Sequence, residues 1–312
     1  MILTSKIQRS ALVISAIFLT TPLLIGCSRQ GSPLDHEAHR LEIEQWRQER
    51  LKKLTAEDGW LTLCGLWWLH EGENSCGGDS SSDVMLPQGK APDNIGSFHL
   101  SHNTVRFITQ KDVAVTHNDS VVEAIDMRSD RHSKPTILKI GTLRFHIIDR
   151  GGKLGVRVKD SENPTRINFR GLDYFPIDSK WRAEATFEPY SPPKELHIPT
   201  MANTMEDYLS PGSLVFAVNG STFHIDALIE TGSEDKLFIM YGDETNGKET
   251  YGGGRQMYTQ LPDSNNNVVL DFNRAYNWPC VFTEYATCPI IPKQNVIPLR
   301  IEAGEKMYAE HE

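Results

Sequence analysis

Short hydrophobic segments separated by turn residues make up most of the chain after Gly59. The turn residues recur at intervals of roughly 8–12 positions, and the segments between them are rich in β-branched and aromatic residues, a pattern typical of many short strands. In several segments polar and apolar residues alternate, as expected for strands that bury one face. Strands are predicted at 104–108, 142–147, 154–158, 181–190, 236–241, 267–273 and 297–302.

The sharpest local signal is a hairpin around Asn219 and Gly220. Hydrophobic segments at 213–218 and 221–225 flank this pair. Asn and Gly both accept positive φ, which the two central residues of a tight primed turn require. The sequence therefore predicts two antiparallel strands joined at Asn219-Gly220.

The segment 34–56 has helical periodicity and is dense in charged residues and leucine. It predicts an amphipathic helix, and its expected buried face consists of Ala38, Leu41, Gln45, Leu51 and Leu54. Such a helix commonly packs on its own domain. A helix that binds a partner is the alternative.

Together these elements predict a mainly β fold. About 10–12 strands with a single convincing helix favour an antiparallel β-barrel or a two-sheet sandwich with an N-terminal amphipathic helix. Residues 34–312 are expected to form a single domain, since β-sandwiches and barrels reach this length.

The start of the chain has the pattern of an exported lipoprotein. Lys6 and Arg9 precede an apolar run at 11–25, which indicates a signal peptide over 1–26. The run is shorter than the roughly 20 apolar residues of a membrane-spanning helix. It ends in Leu24-Ile25-Gly26-Cys27, which resembles the lipobox of bacterial lipoproteins. We therefore expect lipidation at Cys27 and a tether at 27–33. The membrane anchor would hold the protein in the cell envelope, and Ser28 favours the outer membrane if the source is Gram-negative.

The net charge of −9 narrows the range of partners. Nucleic-acid-binding proteins present a basic surface to the phosphate backbone. An acidic chain without a cluster of basic residues in its sequence therefore argues against nucleic acid as a partner.

Four further cysteines could form disulfides in an exported protein. They are Cys64, Cys76, Cys280 and Cys288. The sequence leaves their three possible pairings open, together with free thiols. Neither local pair has the spacing of a zinc knuckle, so no metal site is predicted.

Candidate ligand-binding residues concentrate between 241 and 292. Glycines here allow close approach of the backbone to a ligand, and polar and aromatic side chains are unusually frequent. The residues singled out are Asp243, Lys248, Arg255, Asp271, Asn273, Tyr276 and Tyr285.

Two interpretations of Arg255 stay open. Its guanidinium suits a carboxylate or phosphate ligand, or it pairs internally with Asp243 or Asp271. Asp271 and Asn273 would share one face of a strand. If that face is buried, both need hydrogen-bond partners, with Arg255 among those expected.

The aromatic run at 59–69 also has two interpretations. Trp60, Trp67 and Trp68 could line an apolar ligand cavity. Alternatively, the run is a hydrophobic strand or turn that anchors the N-terminal helix to the core.

At many of these residues the chain resembles a bacterial family known as domain of unknown function 1684. The resemblance spans nearly the whole segment after the tether and implies no known activity. Its motifs include Asp58-Gly59-Trp60-Leu61-Thr62-Leu63, Gly65-Leu66-Trp67-Trp68-Leu69, Phe169-Arg170-Gly171-Leu172, Glu188-Pro189-Tyr190, Asn246-Gly247-Lys248, Gly254-Arg255, Leu270-Asp271-Phe272-Asn273-Arg274-Ala275-Tyr276-Asn277 and Tyr285-Ala286-Thr287-Cys288-Pro289.

The pattern as a whole favours a binding module. We expect a pocket built from 241–255 and 271–288 that holds a small polar or anionic ligand. Arg255 and Lys248 would supply charge, and the stacking side chains would be Tyr276, Trp278 and Tyr285.

Two other functions remain as alternatives. The chain could be a hydrolase that uses Asp271 or Asp243 as general base. It could also be an envelope protein that docks a partner through its aromatic N-terminal stretch. The sequence identifies no cofactor.

Overall fold

Strands dominate the structure, a computed structural model that describes residues 35–308. In chain order the strands are β1 (Leu63–Trp68), β2 (Gly72–Gly77), β3 (Val84–Met85), β4 (Gly96–Ser101), β5 (Thr104–Thr109), β6 (Thr116–His117), β7 (Ser120–Val121), β8 (Ala124–Met127), β9 (Leu138–Ile140), β10 (Leu143–Arg150), β11 (Lys153–Asp160), β12 (Arg182–Pro199), β13 (Met205–Val218), β14 (Ser221–Ile229), β15 (Lys236–Tyr241), β16 (Arg255–Gln260), β17 (Asn267–Asp271) and β18 (Tyr276–Asn277). The α-helices are α1 (His36–Leu54) and α2 (Pro164–Ile167), and 3-10 helices occupy Trp60–Thr62, Ser179–Trp181, Phe272–Arg274, Pro279–Val281 and Lys293–Asn295.

The strands form three sheets. The first has the order β1-β11-β10-β9-β6-β7, the second β17-β12-β13-β14-β15-β16-β18 and the third β3-β2-β4-β5-β8. Paired strands are antiparallel apart from the parallel pair β2 and β3. The mainly β fold with an N-terminal helix is confirmed. Each sheet has two edge strands, so no sheet within 35–308 closes into a barrel.

The first and third sheets share one hydrophobic core. Val156 and Val158 of β11 contribute to it from one side, and Phe98 and Phe107 contribute from β4 and β5. All four are fully buried. Because side chains alternate along a strand, the residue between these valines, Arg157, lies on the opposite face of the first sheet.

The predicted hairpin is confirmed. β13 and β14 are antiparallel, with Val218 opposite Ser221. Asn219 and Gly220 have φ values of 52° and 79°, which places both central residues of the turn in the left-handed region.

Two predicted strands differ from the structure. The segment 297–302 is not a strand, since Pro298 has no N–H to donate to a neighbouring strand. Its backbone is held by isolated hydrogen bonds, including one from Ile297 to the Gly242 carbonyl at 2.8 Å. The strand predicted at 267–273 ends at Asp271, because the Asp271 carboxylate accepts from the Asn273 N–H and caps a 3-10 helix.

The helix α1 forms within the predicted range, but its predicted buried face is wrong. Ala38, Leu41, Gln45 and Leu51 are exposed, and Leu54 alone of that set is buried. The face that packs on the protein instead contains His39 and Ile43. Its contacts are largely polar, such as the ion pair between Arg50 and Glu305 at 2.9 Å. Hydrophobic periodicity could not find this face, because charged and polar residues such as His39 and Arg50 share it with the buried Ile43 and Leu54.

The signal peptide, Cys27 and the tether lie outside the described residues. No helix within 35–308 is long and apolar enough to cross a membrane.

Candidate functional site

Arg255 lies fully buried in an internal ion pair. Its guanidinium is 2.8 Å from the Asp243 carboxylate, and both side chains are inaccessible to solvent. Arg255 also donates to the carbonyls of Ile301 and Ala303, and Asp243 accepts from the Ile301 N–H. The pair thus fastens the C-terminal segment to the second sheet, which agrees with the internal-pairing interpretation of Arg255.

Asp271 and Asn273 meet other partners than those expected. Asp271 accepts from His39 at 2.7 Å, which links the end of β17 to α1. The Asn273 side chain exchanges hydrogen bonds with the backbone of Asp178 at 3.0 and 3.1 Å. Arg255 is not a partner of Asp271 or Asn273, because its guanidinium is engaged by Asp243. β17 ends at Asp271, so Asp271 and Asn273 do not share a strand face.

The other predicted ligand-binding residues are scattered. Lys248 is exposed in the loop after β15. Tyr285 is partly buried, and burial raises the pKa of its hydroxyl. Tyr276 and Trp278 line a cleft, and the Tyr276 ring lies 4.5 Å from the Arg50 guanidinium. The structure therefore does not bring the predicted set together in one pocket.

The four cysteines within residues 35–308 form one disulfide and leave two free thiols. Cys280 and Cys288 are bonded to each other and close a short loop. Cys64 and Cys76 are free, so the possible bond between them is not formed. Both belong to the hydrophobic core of the first and third sheets or pack against it.

The cleft lined by Tyr276 and Trp278 has a volume of about 530 Å³. It lies at the C-terminal end of α1 and is bordered by strands of the first and second sheets and by the disulfide loop. Among residues 35–308, four basic residues, Arg50, Lys53, Arg150 and Lys159, line it beside three acidic ones, Asp58, Glu206 and Glu230. We call it the basic cleft, and Trp60, Tyr276 and Thr287 also belong to its wall. None of Asp243, Lys248, Arg255, Asp271 and Asn273 lines it.

Arg157 lies directly behind the wall of the basic cleft. It is on β11 between Val156 and Val158, so the alternation of the strand turns it away from the hydrophobic core. Its side chain is buried, with 4% of its surface exposed. Its guanidinium donates to Thr287 Oγ1 at 3.3 Å and lies 5.3 Å from the centre of the Trp60 ring, and both of these residues line the cleft.

Arg157 has no acidic partner within the part of the chain that the structure describes. No Asp or Glu oxygen there lies within 4.0 Å of its guanidinium, and its Nε is buried without a hydrogen bond. Burial and the neighbouring Arg150 lower the pKa of Arg157 to about 10. A buried cation of this kind favours a nearby negative charge.

Arg150 has acidic partners. Its guanidinium lies 2.8 Å from both the Asp130 and the Glu206 carboxylates. Its Nε is also 3.0 Å from Thr287 Oγ1, the atom that Arg157 contacts. Because Asp130 and Glu206 are engaged by Arg150, they do not neutralise Arg157 by direct contact.

Lys159 adds a further positive charge. It lies two residues after Arg157 on β11 and donates to the Asp58 carbonyl at 2.5 Å. Burial and the charge of Arg157 lower its pKa. His146, opposite Arg157 on β10, is held neutral by the same environment: burial, Arg157 and Lys159 lower its pKa to about 4.

A close backbone contact positions Trp60 beside these cations. A Cβ on Gly59 would lie 2.4 Å from the Leu54 carbonyl oxygen, so glycine is required where the chain turns past the end of α1. The 3-10 helix at Trp60–Thr62 follows at once. The Trp60 side chain consequently faces the cleft, and 36% of the residue stays exposed.

No metal site accompanies the basic cleft. Within 35–308 no group of three or more His, Cys, Asp or Glu side chains is placed to hold a metal ion. What the arrangement offers is a set of cationic donors beside an exposed indole.

The cationic residues were not recognised from the sequence, although a signal exists. In Val156-Arg157-Val158-Lys159 the valines and the cations alternate, which places both cations on the face opposite the core. The sequence does not reveal that Thr287, more than a hundred residues later, covers that face. The burial of Arg157 depends on this long-range contact.

Comparisons with known proteins identify similar sequences without an assigned activity. A family model described as a protein of unknown function (DUF1684) matches residues 167–306. An uncharacterised protein from Haloarcula marismortui, solved by solution NMR, is 30% identical over 47% of this chain and 81% of that chain, with a TM-score of 0.40. A phosphothreonine-dependent FHA domain is 12% identical over 30% of this chain and 92% of that chain, with a TM-score of 0.22. No curated protein matches.

Proposed function

The chain belongs to the DUF1684 family of proteins of unknown function, and we propose that it binds a small anion in the basic cleft. One observation carries the proposal. Arg157 is buried without a carboxylate partner in residues 35–308, directly behind the wall that Trp60 and Thr287 form.

The electrostatics of the cluster favour an anionic ligand. Arg150 lowers the pKa of Arg157, and Arg157 lowers the pKa of Lys159, so Arg157 is repelled by the cation on each side, and the charges of Asp130 and Glu206 offset only part of this. A carboxylate or phosphate beside the three cations would reverse this repulsion. Hydrogen bonds that involve a charged group stabilise by about 1.5–3 kcal/mol each.

The size of the cleft fits a small molecule. Its volume of about 530 Å³ lies within the range of roughly 300–1,000 Å³ that is typical of small-molecule sites. Apolar residues such as Leu54, Pro279 and Ala286 form part of the wall, and Gln256 and Asn277 add polar groups that can orient a ligand.

The proposed site overlaps only partly with the pocket that the sequence predicts. The predicted segment still contributes Tyr276 and Trp278 to the wall. The charge comes from the first sheet, through Arg150, Arg157 and Lys159, instead of from Arg255 and Lys248.

Native mass spectrometry of the purified protein is the direct test. We expect a bound small molecule whose retention is lost in Arg157→Met and kept in Arg144→Met. Arg144 is a matched control, because it lies on β10 opposite Lys159 but donates to the Glu57 carbonyl and does not line the cleft. Isothermal titration calorimetry with phosphate, sulfate and acetate extends the test. Absence of both a bound molecule and anion binding would refute the proposal.

A second candidate function is acid–base catalysis in the same cleft. Glu206 lines the cleft, and burial raises its pKa, as a general acid or base requires. Asp243 and Asp271 do not line the cleft, whereas Glu206 does, paired there with Arg150. Hydrolysis of p-nitrophenyl phosphate or p-nitrophenyl acetate that disappears in Glu206→Gln would favour this function, and no turnover by the wild type would count against it.

We also propose that the protein is exported and anchored in the cell envelope through a lipid on Cys27. The lipobox-like residues 24–27 support this, and the Cys280–Cys288 disulfide is compatible with an oxidising compartment.

A further inference from the structure

We propose that the ligand of the basic cleft is an amphiphilic anion, a carboxylate or phosphate carried by an aromatic ring that packs against Trp60. This inference rests on the proposed function, since it concerns the same cleft. Beyond the charged group of the ligand, it specifies the uncharged part, an aromatic ring.

The first argument is the exposure of Trp60. The side chain lines the cleft, and 36% of the residue remains accessible although two cations already lie near its ring. An exposed indole on the wall of a cleft offers a flat apolar surface, and aromatic rings pack on such surfaces in stacked or edge-to-face arrangements. Gly59 holds this surface in place against the end of α1.

The second argument is the distance between the indole and the cations. The Arg157 guanidinium lies 5.3 Å and the Lys159 ammonium 5.9 Å from the centre of the Trp60 ring. An oxyanion that binds Lys159, with the charge of Arg157 just behind the wall, is therefore within about one ring width of the indole. A ring attached directly to the oxyanion, as in an aryl phosphate or an aromatic carboxylate, can reach both at once.

The third argument is the composition of the remaining wall. Tyr276 provides a second aromatic ring that is partly exposed like that of Trp60, and the buried residues Leu54, Pro279 and Ala286 complete the apolar part of the wall. A hydrated inorganic anion would leave this surface unused. A ring would cover it and gain from the removal of apolar surface from water.

The experiment compares ring-bearing probes with their methyl counterparts by isothermal titration calorimetry. The pairs are phenyl phosphate with methyl phosphate and benzoate with acetate, which carry the same charged group with and without a ring. We expect the phenyl probe of the preferred pair to bind about tenfold more tightly than its methyl counterpart, as stacking and apolar burial together imply. The pair that binds better identifies the oxyanion as phosphate or carboxylate.

Two variants of Trp60 and one control variant test whether Trp60 causes the preference for phenyl over methyl probes. Trp60→Ala should reduce the phenyl-to-methyl ratio to about two or less while methyl-probe binding persists. Trp60→Leu keeps an apolar side chain at this position and should reduce the ratio as well, which guards against misfolding of the alanine variant. Trp68→Ala should leave the ratio unchanged, because Trp68 is in the same aromatic run and contacts Lys153 at 4.4 Å but does not line the cleft.

The outcomes separate this inference from the proposed function. If methyl and phenyl probes bind equally and both lose affinity in Arg157→Met, the anion site stands and the aromatic inference is overturned. A phenyl preference that survives in both Trp60 variants also overturns it. If neither class of probe binds, both proposals fail.

Discussion

Replacing Arg157 by methionine should make the ligand-free protein more stable and its anion binding weaker. Methionine keeps most of the length and volume of the arginine stem but removes the charge. A structural ion pair predicts the opposite sign, because the loss of one partner of a buried pair destabilises a protein by about 3–5 kcal/mol. The two interpretations of Arg157 therefore differ in the direction of the effect.

The expected magnitude follows from the pKa. Burial and Arg150 lower the pKa of Arg157 from 12.5 to about 10, which corresponds to a destabilisation of the charged folded form by about 3 kcal/mol. The hydrogen bond to Thr287 and the contact with the Trp60 ring offset about 2 kcal/mol of this. We expect the free energy of unfolding to rise by about 1 kcal/mol in Arg157→Met and the affinity for the bound anion to fall at least about tenfold.

Urea denaturation without ligand measures the first effect, and calorimetric titration measures the second. Arg144→Met serves as the control for both and should change each only slightly, because Arg144 is partly exposed and its ion pair with Glu57 lies near the surface. A loss of more than about 2 kcal/mol in Arg157→Met with unchanged anion affinity would show that Arg157 is a structural residue and would refute the reasoning.

Three further predictions concern other parts of the protein. Asp243→Asn should lower the free energy of unfolding by about 3–5 kcal/mol in urea denaturation, because it strands the buried Arg255, whereas the exposed Lys248→Ala should have little effect. The pKa of His146 falls from 6.5 to about 4 on folding, so the unfolded chain binds more protons between these values and stability declines by up to about 3 kcal/mol as the pH drops from 6.5 to 4. His146→Gln should flatten this part of the stability profile, and an unchanged slope would contradict the assignment. Cys27→Ser should move the full-length protein out of the detergent phase in phase partitioning, and its retention there would count against the lipid anchor.

The fold was predictable where local sequence determines local structure. The hairpin at Asn219-Gly220 depends on two residues that accept positive φ, and the strands around Val156 depend on simple alternation. The prediction failed at 297–302 because the hydrophobic pattern there was given more weight than Pro298, which prevents regular pairing. It also failed for the buried face of α1, where polar contacts such as Arg50 with Glu305 replace an apolar stripe.

The site was harder to predict, because the tertiary structure decides which arginines have an acidic partner and which do not. Arg255 follows a run of glycines, a pattern that favours a ligand site, but Asp243 neutralises it. Arg157 looked like an ordinary polar residue in an alternating strand. Contacts with distant segments, including Thr287 and Trp60, accompany its burial.

If the chain is exported as proposed, closure of the disulfide loop would complete the proposed site during maturation of the protein. Thr287, the residue that both Arg150 and Arg157 contact, immediately precedes Cys288 in the loop that the bond to Cys280 closes. A chain that folded where thiols stay reduced would lack the covalent closure that fixes this threonine. Under the proposed export, the cleft would be completed only after the chain leaves the cytoplasm, and newly made chains would not bind the proposed anion before then.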